Sequence, residues 1–549
     1  MAAQVRRKFW GWGFEGETVG ADEAKLVFAE IVRRHGEIAE AAAGAPAVAD
    51  FELRAPRIQA TGAAARLVTD DPHERLLHAY GKSFPDTVRM FRREVPEPPD
   101  LVAHPGSEDD VVALLDWADG ANVAVIPFGG GTSVCGGVEP AVGDAYAGTL
   151  SLDLTAMDKV LEVDRTSRAA RIQAGAACPV FERQLKEHGL TLRHFPQSFL
   201  HATLGGMIAT RSGGHYATLY THIDDFVEAI RTVTPAGVME SVRLPGSGAG
   251  PSPDRMMIGS EGILGVITEA WMRVQDLPRH RAAVSVGFPD IHAGAEAIRA
   301  LSQAWLFPSN CRLLDAEEAR NTGAGDGASA LLVLSFESAD HPVGPWMARA
   351  LELVRDHGGR YDEAALADKE SHRKDAAGAW RNAFIRMPYY REILTPRGVI
   401  SDTFETAITW ERFPAFHDAI RARMLKVIEE VTGRPGSVTC RFTHVYPDGP
   451  APYFTYSALG RWDGLMEQWR TIKAAANEVV VGNGGTVTHH HAVGRDHRPR
   501  GYDKQRPEVF AKALAGAKAA VDPNGILNPG VLIDPVGKAV GTTGAMAGA

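Results

Sequence analysis

An apolar run, "VAVIPF", breaks directly into three glycines, Gly129–Gly131, and nothing else in this 549-residue chain restricts its fold as tightly. Glycine reaches positive φ and leaves its amide N–H groups uncovered, so such a loop at the end of a buried strand suits a pyrophosphate nest. An ordinary glycine turn is the alternative. The spacing fits neither G-x-x-x-x-G-K-[ST] nor G-x-G-x-x-G, which excludes P-loop and dinucleotide-fingerprint readings. Two further stretches, "FPQSFLHATLGGMIATRSGGHYATLYTHIDD" (195–225) and "MIGSEGILGVITEA" (257–270), are dense in Gly, Ser and Thr between apolar borders. Small hydroxylated residues and bare amides are what a large, buried, polar-ringed cofactor needs.

Elsewhere the pattern alternates between helical and extended periods. "SEDDVVALLDWADGAN" predicts a helix, because Ser precedes acidic first-turn residues and a 3.6-period apolar face. "DDFVEAIRTVTPAG", "GVITEAWMRV", "RAAVSVGFP" and "ALLVLSFES" predict strands. "IHAGAEAIRALSQAW", "GLMEQWRTIKAAANEVVV" and "PEVFAKALAGAKAAV" predict helices. "REVPEPPD" (93–100) reads as a linker. The expectation is an α+β protein. It has a helical N-terminal segment at 1–93, a first domain at 94–277 and a second at 278–470. A helical C-terminal segment follows at 471–535, then a disordered tail at 536–549. The length accommodates two or three cores.

A net charge of −10 excludes general nucleic-acid affinity. Cys135, Cys178, Cys311 and Cys440 form no C-x-x-C pair, which argues for a reducing compartment without zinc or disulfide frameworks. No signal-like segment and no run of ~18 apolar residues occurs, so a cytoplasmic protein is expected.

"GGTVTHHHAVG" poses the sharpest chemical question. Read as a strand, it puts His489 and His491 on one side and His490 on the other. A zinc site needs at least three converging ligands. Adjacent histidines rarely converge, and neither a Cys cluster nor H-E-x-x-H lies nearby, so no metal is expected. A hydrogen-bonded structural stretch and acid–base work near neutral pH both stay open.

The motifs "WGWG", "DPHERLLHAYGKSF", "IPFGGGTSV", "TLGGMIATRSGG", "GSEGILG", "CRLLD", "FETAITW", "YFTY", "THHHAVG" and "VDPNGILNPG" run in order from about residue 10 to 532. With them the chain resembles the PCMH/vanillyl-alcohol-oxidase flavoproteins and, within these, the alkyldihydroxyacetonephosphate synthase family. The resemblance implies a PCMH-type FAD-binding domain at 94–277, an α+β cap or substrate domain at 278–470, and an active site completed by the C-terminal segment.

By the same resemblance FAD would be held by Pro127, Phe128, Gly129, Gly130, Gly131, Thr132 and Ser133, and by Gln197, Ser198, Phe199, Leu200, His201, Ala202 and Thr203. It would also meet Thr210, Arg211, Ser212 and Gly213, and Gly259, Ser260, Glu261, Gly262, Ile263, Leu264 and Gly265. Arg211 suits a phosphate as a charge-assisted donor, or is a surface arginine. The resemblance makes His489, His490, His491, Tyr453 and Arg312 catalytic and Arg386 the phosphate ligand. Without it, Tyr453 reads as a core aromatic of an alternating strand. Ala492 stands where the family commonly has glycine.

The implied reaction is a non-redox exchange in which acyl-dihydroxyacetone phosphate gives up fatty acid and takes a long-chain alcohol. The flavin serves as an electrophile and ends unreduced. Peripheral membrane contact and a homodimer come with the resemblance. A D-2-hydroxyacid dehydrogenase or oxidase acting on a 2-hydroxy acid is the alternative, because the same FAD domain serves both.

Overall fold

The predicted strands assemble into three main sheets whose edges converge on one cavity. The computed structural model describes residues 6–220, 222–362, 376–538 and 540, with only the backbone course of 376–384. In the first sheet, Leu101–Ala103 and Val123–Phe128 lie parallel on either side of Gly148–Asp153, with Val68–Thr69 at the edge. The predicted helix forms over Glu108–Gly120, and the Ser107 side chain accepts from the Asp110 N–H as its N-cap. An antiparallel sheet follows in the order Val160–Asp164, Ala169–Gln173, Val266–Arg273, Val227–Thr234, Gly237–Glu240.

The third sheet is antiparallel and six-stranded: His280–Phe288, Ala330–Ser338, Asn310–Leu314, Ser437–Val445, Pro450–Leu459, Val399–Glu405. Period-2 alternation gives it two different faces. Ile400, Phe404, Val438, Cys440, Phe442, Phe454 and Tyr456 point into a core shared with the helices Phe413–Thr432 and Leu465–Gly482. Their neighbours Ser401, Thr403, Arg441, Thr443, Tyr453, Thr455 and Ser457 line the cavity on the opposite face. One sheet therefore supplies both an apolar core and a polar cavity wall.

The N-terminal segment, the linker and the C-terminal segment all pack into the body of the fold. Phe84 and Val88, from the N-terminal segment, belong to the core of the third sheet. The expected linker at 93–100 ends in Asp100, which is fully buried and ion-paired with Arg54 and Arg57, so the chain is fixed there. At the other end, the Val125 N–H donates to the Ile526 carbonyl and the Asn528 N–H to the Val125 carbonyl, which docks the C-terminal segment onto the glycine-loop strand. Val540 packs with Ala124 and Ile126, so the expected tail begins as packed chain; residues 539 and 541–549 of it lie outside the described residues. The four cysteines are free and buried. Among the described residues no helix is long and apolar enough to cross a membrane.

Candidate active site

A cavity of about 670 Å³ lies between the three sheets, within the range of small-molecule and cofactor sites. Its floor is the glycine loop, and all of Pro127–Ser133 line it. Glycine is required here by close approach. A Cβ on Gly130 would stand 1.9 Å from the His201 carbonyl oxygen, and Gly131 has φ +63°. Gln197, Ser198, Ala202, Thr203, Thr210, Ser212, Gly213, Glu261, Gly262 and Gly265 complete the cradle. These bare amides and hydroxyls fit an FAD pyrophosphate and ribityl chain.

Several expected cofactor residues face elsewhere. The His201 ring packs against Trp12 and Phe14 and does not line the cavity, while its carbonyl lies against Gly130. Phe199 packs on Phe195, and Leu200 is exposed. Ile263 and Leu264 are core residues, and neither Gly259 nor buried Ser260 lines the cavity. Arg211 is not the expected phosphate donor: its guanidinium pairs with Asp224 at 2.7 Å, away from the cavity.

The histidine segment is a loop after the helix Leu465–Gly482, correcting the strand reading. What shapes it is Glu405, at the end of a cavity-wall strand. The His489, His490 and His491 N–H groups all donate to this one carboxylate, at 2.5, 3.1 and 2.9 Å, and the Thr488 hydroxyl donates at 2.5 Å. Burial works against the charge on Glu405, but His491 and His489, the Thr488 hydroxyl and the loop amide hold its pKa down to about 2. A second carboxylate, Glu261, accepts from the Val493 and Gly494 N–H groups at 2.8 Å each. Two carboxylates thus bind five of the six amides from His489 to Gly494, all but that of Ala492, and wind the segment around the cavity rim.

The winding separates the three rings. His490 and His491 line the cavity, whereas His489 turns outward, contrary to the expectation of one catalytic trio. The Tyr453 ring lies 6.0 Å from that of His490 and 5.4 Å from that of His491. Its hydroxyl donates to Thr403 Oγ1 at 3.1 Å. Burial pushes the Tyr453 phenol up and both imidazoles down, so all three are uncharged near neutrality.

Arg312 lines the cavity as expected, beside Arg441, which the sequence reading missed. Arg441 lies over the Tyr453 ring, 3.9 Å from its centroid, and pairs with Glu318. Burial and the neighbouring Arg441 lower Arg312 to about 9. Arg386, the expected phosphate ligand, is spent elsewhere. It grips Glu23 with two bonds of 2.7 and 2.9 Å, joining the helices Ala21–His35 and Ala376–Leu394, and it does not line the cavity.

The helices Ala21–His35 and Ala376–Leu394 add an apolar group to the lining, Leu26, Val27, Ile31, Met387 and Leu394, interrupted by Glu30, Arg34 and Arg391. Trp12 of "WGWG" also lines the cavity. The Trp12 N–H donates to Glu392 Oε1 at 2.8 Å, and Lys8 pairs with the other Glu392 oxygen at 2.9 Å.

Comparison with known proteins agrees with this architecture. A family model described as an FAD binding domain matches residues 99–243, and one described as the C-terminal domain of FAD linked oxidases matches 277–532. The chain is 30% identical over 486 residues to an alkyldihydroxyacetonephosphate synthase of Dictyostelium discoideum, covering 85% of this chain and 78% of that one. It is 29% identical over 483 residues to the protein of that name from Trypanosoma brucei brucei, covering 84% and 78%. A solved alkyldihydroxyacetonephosphate synthase structure superposes with TM-score 0.77 at 23% identity, over 95% of this chain and 98% of that chain.

Proposed function

The chain belongs to the alkyldihydroxyacetonephosphate synthase family, and from that premise we propose that it is an FAD-dependent alkyl transferase of the alkylglycerone-phosphate synthase type. It exchanges the acyl group of acyl-dihydroxyacetone phosphate for a long-chain alcohol without net redox change. The observation that carries this reading is the continuity of one cavity. The glycine cradle, two neutral imidazoles with a phenol, two guanidiniums and an apolar group all open into it.

Bound FAD supplies an electrophilic ring to a carbon nucleophile. This chain's residues do the rest. Neutral His490 or His491 takes the proton from the carbon beside the dihydroxyacetone carbonyl, and Tyr453, packed against both rings, relays it. Arg312 and Arg441 both line the cavity, and their guanidinium forks suit a phosphate dianion, the role first expected of Arg386. The apolar part of the lining receives the fatty chains, each buried methylene contributing about 0.8 kcal/mol. Leu26 at its margin is 74% exposed, which fits entry of substrate from a lipid surface.

The test is incubation of the FAD-loaded protein with acyl-dihydroxyacetone phosphate and labelled hexadecanol. Labelled ether product with release of fatty acid is expected. Absence of ether product at full FAD loading overturns the reading.

A further inference from the structure

At the cavity wall, the outward turn of His489 brings it to two histidines distant in sequence, His444, which itself lines the cavity, and His222, which does not. His222 caps the short helix Ile223–Phe226, and His444 lies on the strand Ser437–Val445. The three ring centroids form a near-equilateral triangle with sides of 4.7, 5.0 and 5.1 Å. One ligand atom from each lies within 4.8 Å of the other two. The Tyr446 hydroxyl joins two of the three, hydrogen-bonded to His489 Nε2 at 2.7 Å and to His222 Nε2.

We propose that His222, His444 and His489, with Tyr446 as fourth ligand, form a site for one divalent transition-metal ion of the zinc class. Tetrahedral zinc at 2.0–2.1 Å from each nitrogen needs nitrogens about 3.3 Å apart, so the rings close by roughly 1.5 Å at most. Imidazole donors without thiolate suit zinc, cobalt or nickel rather than magnesium or calcium. His444 Nε2 lies 3.2 Å from the Gly214 carbonyl, an outer partner of the kind that sets a ligand's tautomer, which leaves Nδ1, here 3.1 Å from Thr443 Oγ1, as the nitrogen offered to the ion. A competing group, Glu405 with His489 and His490, is also close enough to chelate. Its carboxylate, however, is already occupied by the three loop amides.

The ion would act on the active site through a single bond. His489 Nδ1 and His490 Nδ1 lie 3.1 Å apart, so only one of them carries a proton. Metal on His489 Nε2 forces the His489 proton onto Nδ1, which then donates to His490. His490 Nδ1 becomes the acceptor and keeps its own proton on Nε2. His489 is thus a positioning residue for the cavity histidine. The inference does not rest on the proposed reaction, because metal binding is read without substrate.

The test uses FAD-loaded protein freed of metal by a chelator and titrated with Co²⁺. One equivalent with the visible bands of four-coordinate Co²⁺, at wavelengths beyond the flavin absorption and erased by Zn²⁺, is expected. His222→Asn, which lies outside the cavity, should lower the affinity by more than about 100-fold while the flavin spectrum is kept. Uptake that is absent, or equal in wild type and variant, overturns the proposal. Should the variant lose FAD, zinc X-ray absorption on the wild type decides. Three imidazole shells at about 2.0 Å support the site, and a shell without imidazole sinks it.

Discussion

Ala492 has φ +73°, in the left-handed region that costs a residue bearing a Cβ about 1–2 kcal/mol. It lies between the two carboxylate-held halves of the histidine loop, which impose the conformation. Ala492→Gly should therefore raise stability by about 0.5–1 kcal/mol, part of the gain being offset by the freer unfolded chain. Thermal unfolding of the FAD-loaded protein reads this, and a lower midpoint would contradict it. Glu405 is the stronger residue-level case. Glu405→Gln keeps the shape but removes a charged acceptor from three amides, so a loss of roughly 2–4 kcal/mol is expected. Activity should fall on the order of 100-fold with FAD retained, because the imidazoles are no longer held in place. Unchanged denaturant midpoints would refute that role. Asp496 is buried with neither carboxylate oxygen hydrogen-bonded, and burial, then Asp86, pushes its pKa up to about 8. The folded state thus holds a proton that the unfolded chain releases near pH 4. The associated stability is present at low pH and lost as pH rises toward 8. Asp496→Asn should gain on wild type progressively between about pH 4 and 8, as followed by melting temperature. A pH-independent difference would exclude this assignment.

At the scale of elements, periodicity revealed most of the frame. The helices at 108–120, 291–303, 465–482 and 508–521 and the strands at 227–234, 266–273, 280–288 and 330–338 all lie where apolar spacing puts them. The strand reading of the histidine segment fails because its shape is set by Glu405 and Glu261, which are 84–86 and 232–233 residues away from the amides they bind. Alternation alone cannot report such partners. Arg386 and Arg441 make the same point. One-dimensional position does not say which guanidinium faces the cavity: both are ion-paired, Arg386 with Glu23 and Arg441 with Glu318, but only Arg441 sits on a cavity-facing register. Better use of period 2 would have found Arg441 and Glu405, since each is an ionic residue on the same sheet face as Tyr453. The C-terminal segment "NGILNPG" is a fixed part of the cofactor cradle. Asn528 Nδ2 donates to the carbonyls of Glu261 at 2.7 Å and Gly137 at 3.1 Å, clamping two loops that line the cavity. Asn528→Ala is expected to weaken FAD binding about tenfold, from loss of roughly 1–1.5 kcal/mol. Flavin-fluorescence titration checks this, and an unaltered affinity would remove the clamp from the account.

The whole molecule divides its labour between sheets. Loops of the first two form the glycine cradle that would hold FAD, and the polar face of the third sets Tyr453, Arg312 and Arg441 in the wall of the same cavity. Such a scaffold serves redox and non-redox flavin chemistry alike, so the distinction lies in the side chains at the meeting point. Two neutral imidazoles, a phenol and a pair of guanidiniums suit proton transfer on a phosphorylated ketone. The central claim is that this site moves a proton and exchanges a chain without leaving the flavin reduced. Anaerobic absorbance of the bound flavin tests it most directly. The account predicts an oxidised flavin band that is intact once acyl-dihydroxyacetone phosphate and alcohol have turned over, and no bleaching by D-2-hydroxy acids. Stoichiometric bleaching by a 2-hydroxy acid, with no ether formed from the lipid substrates, would contradict it.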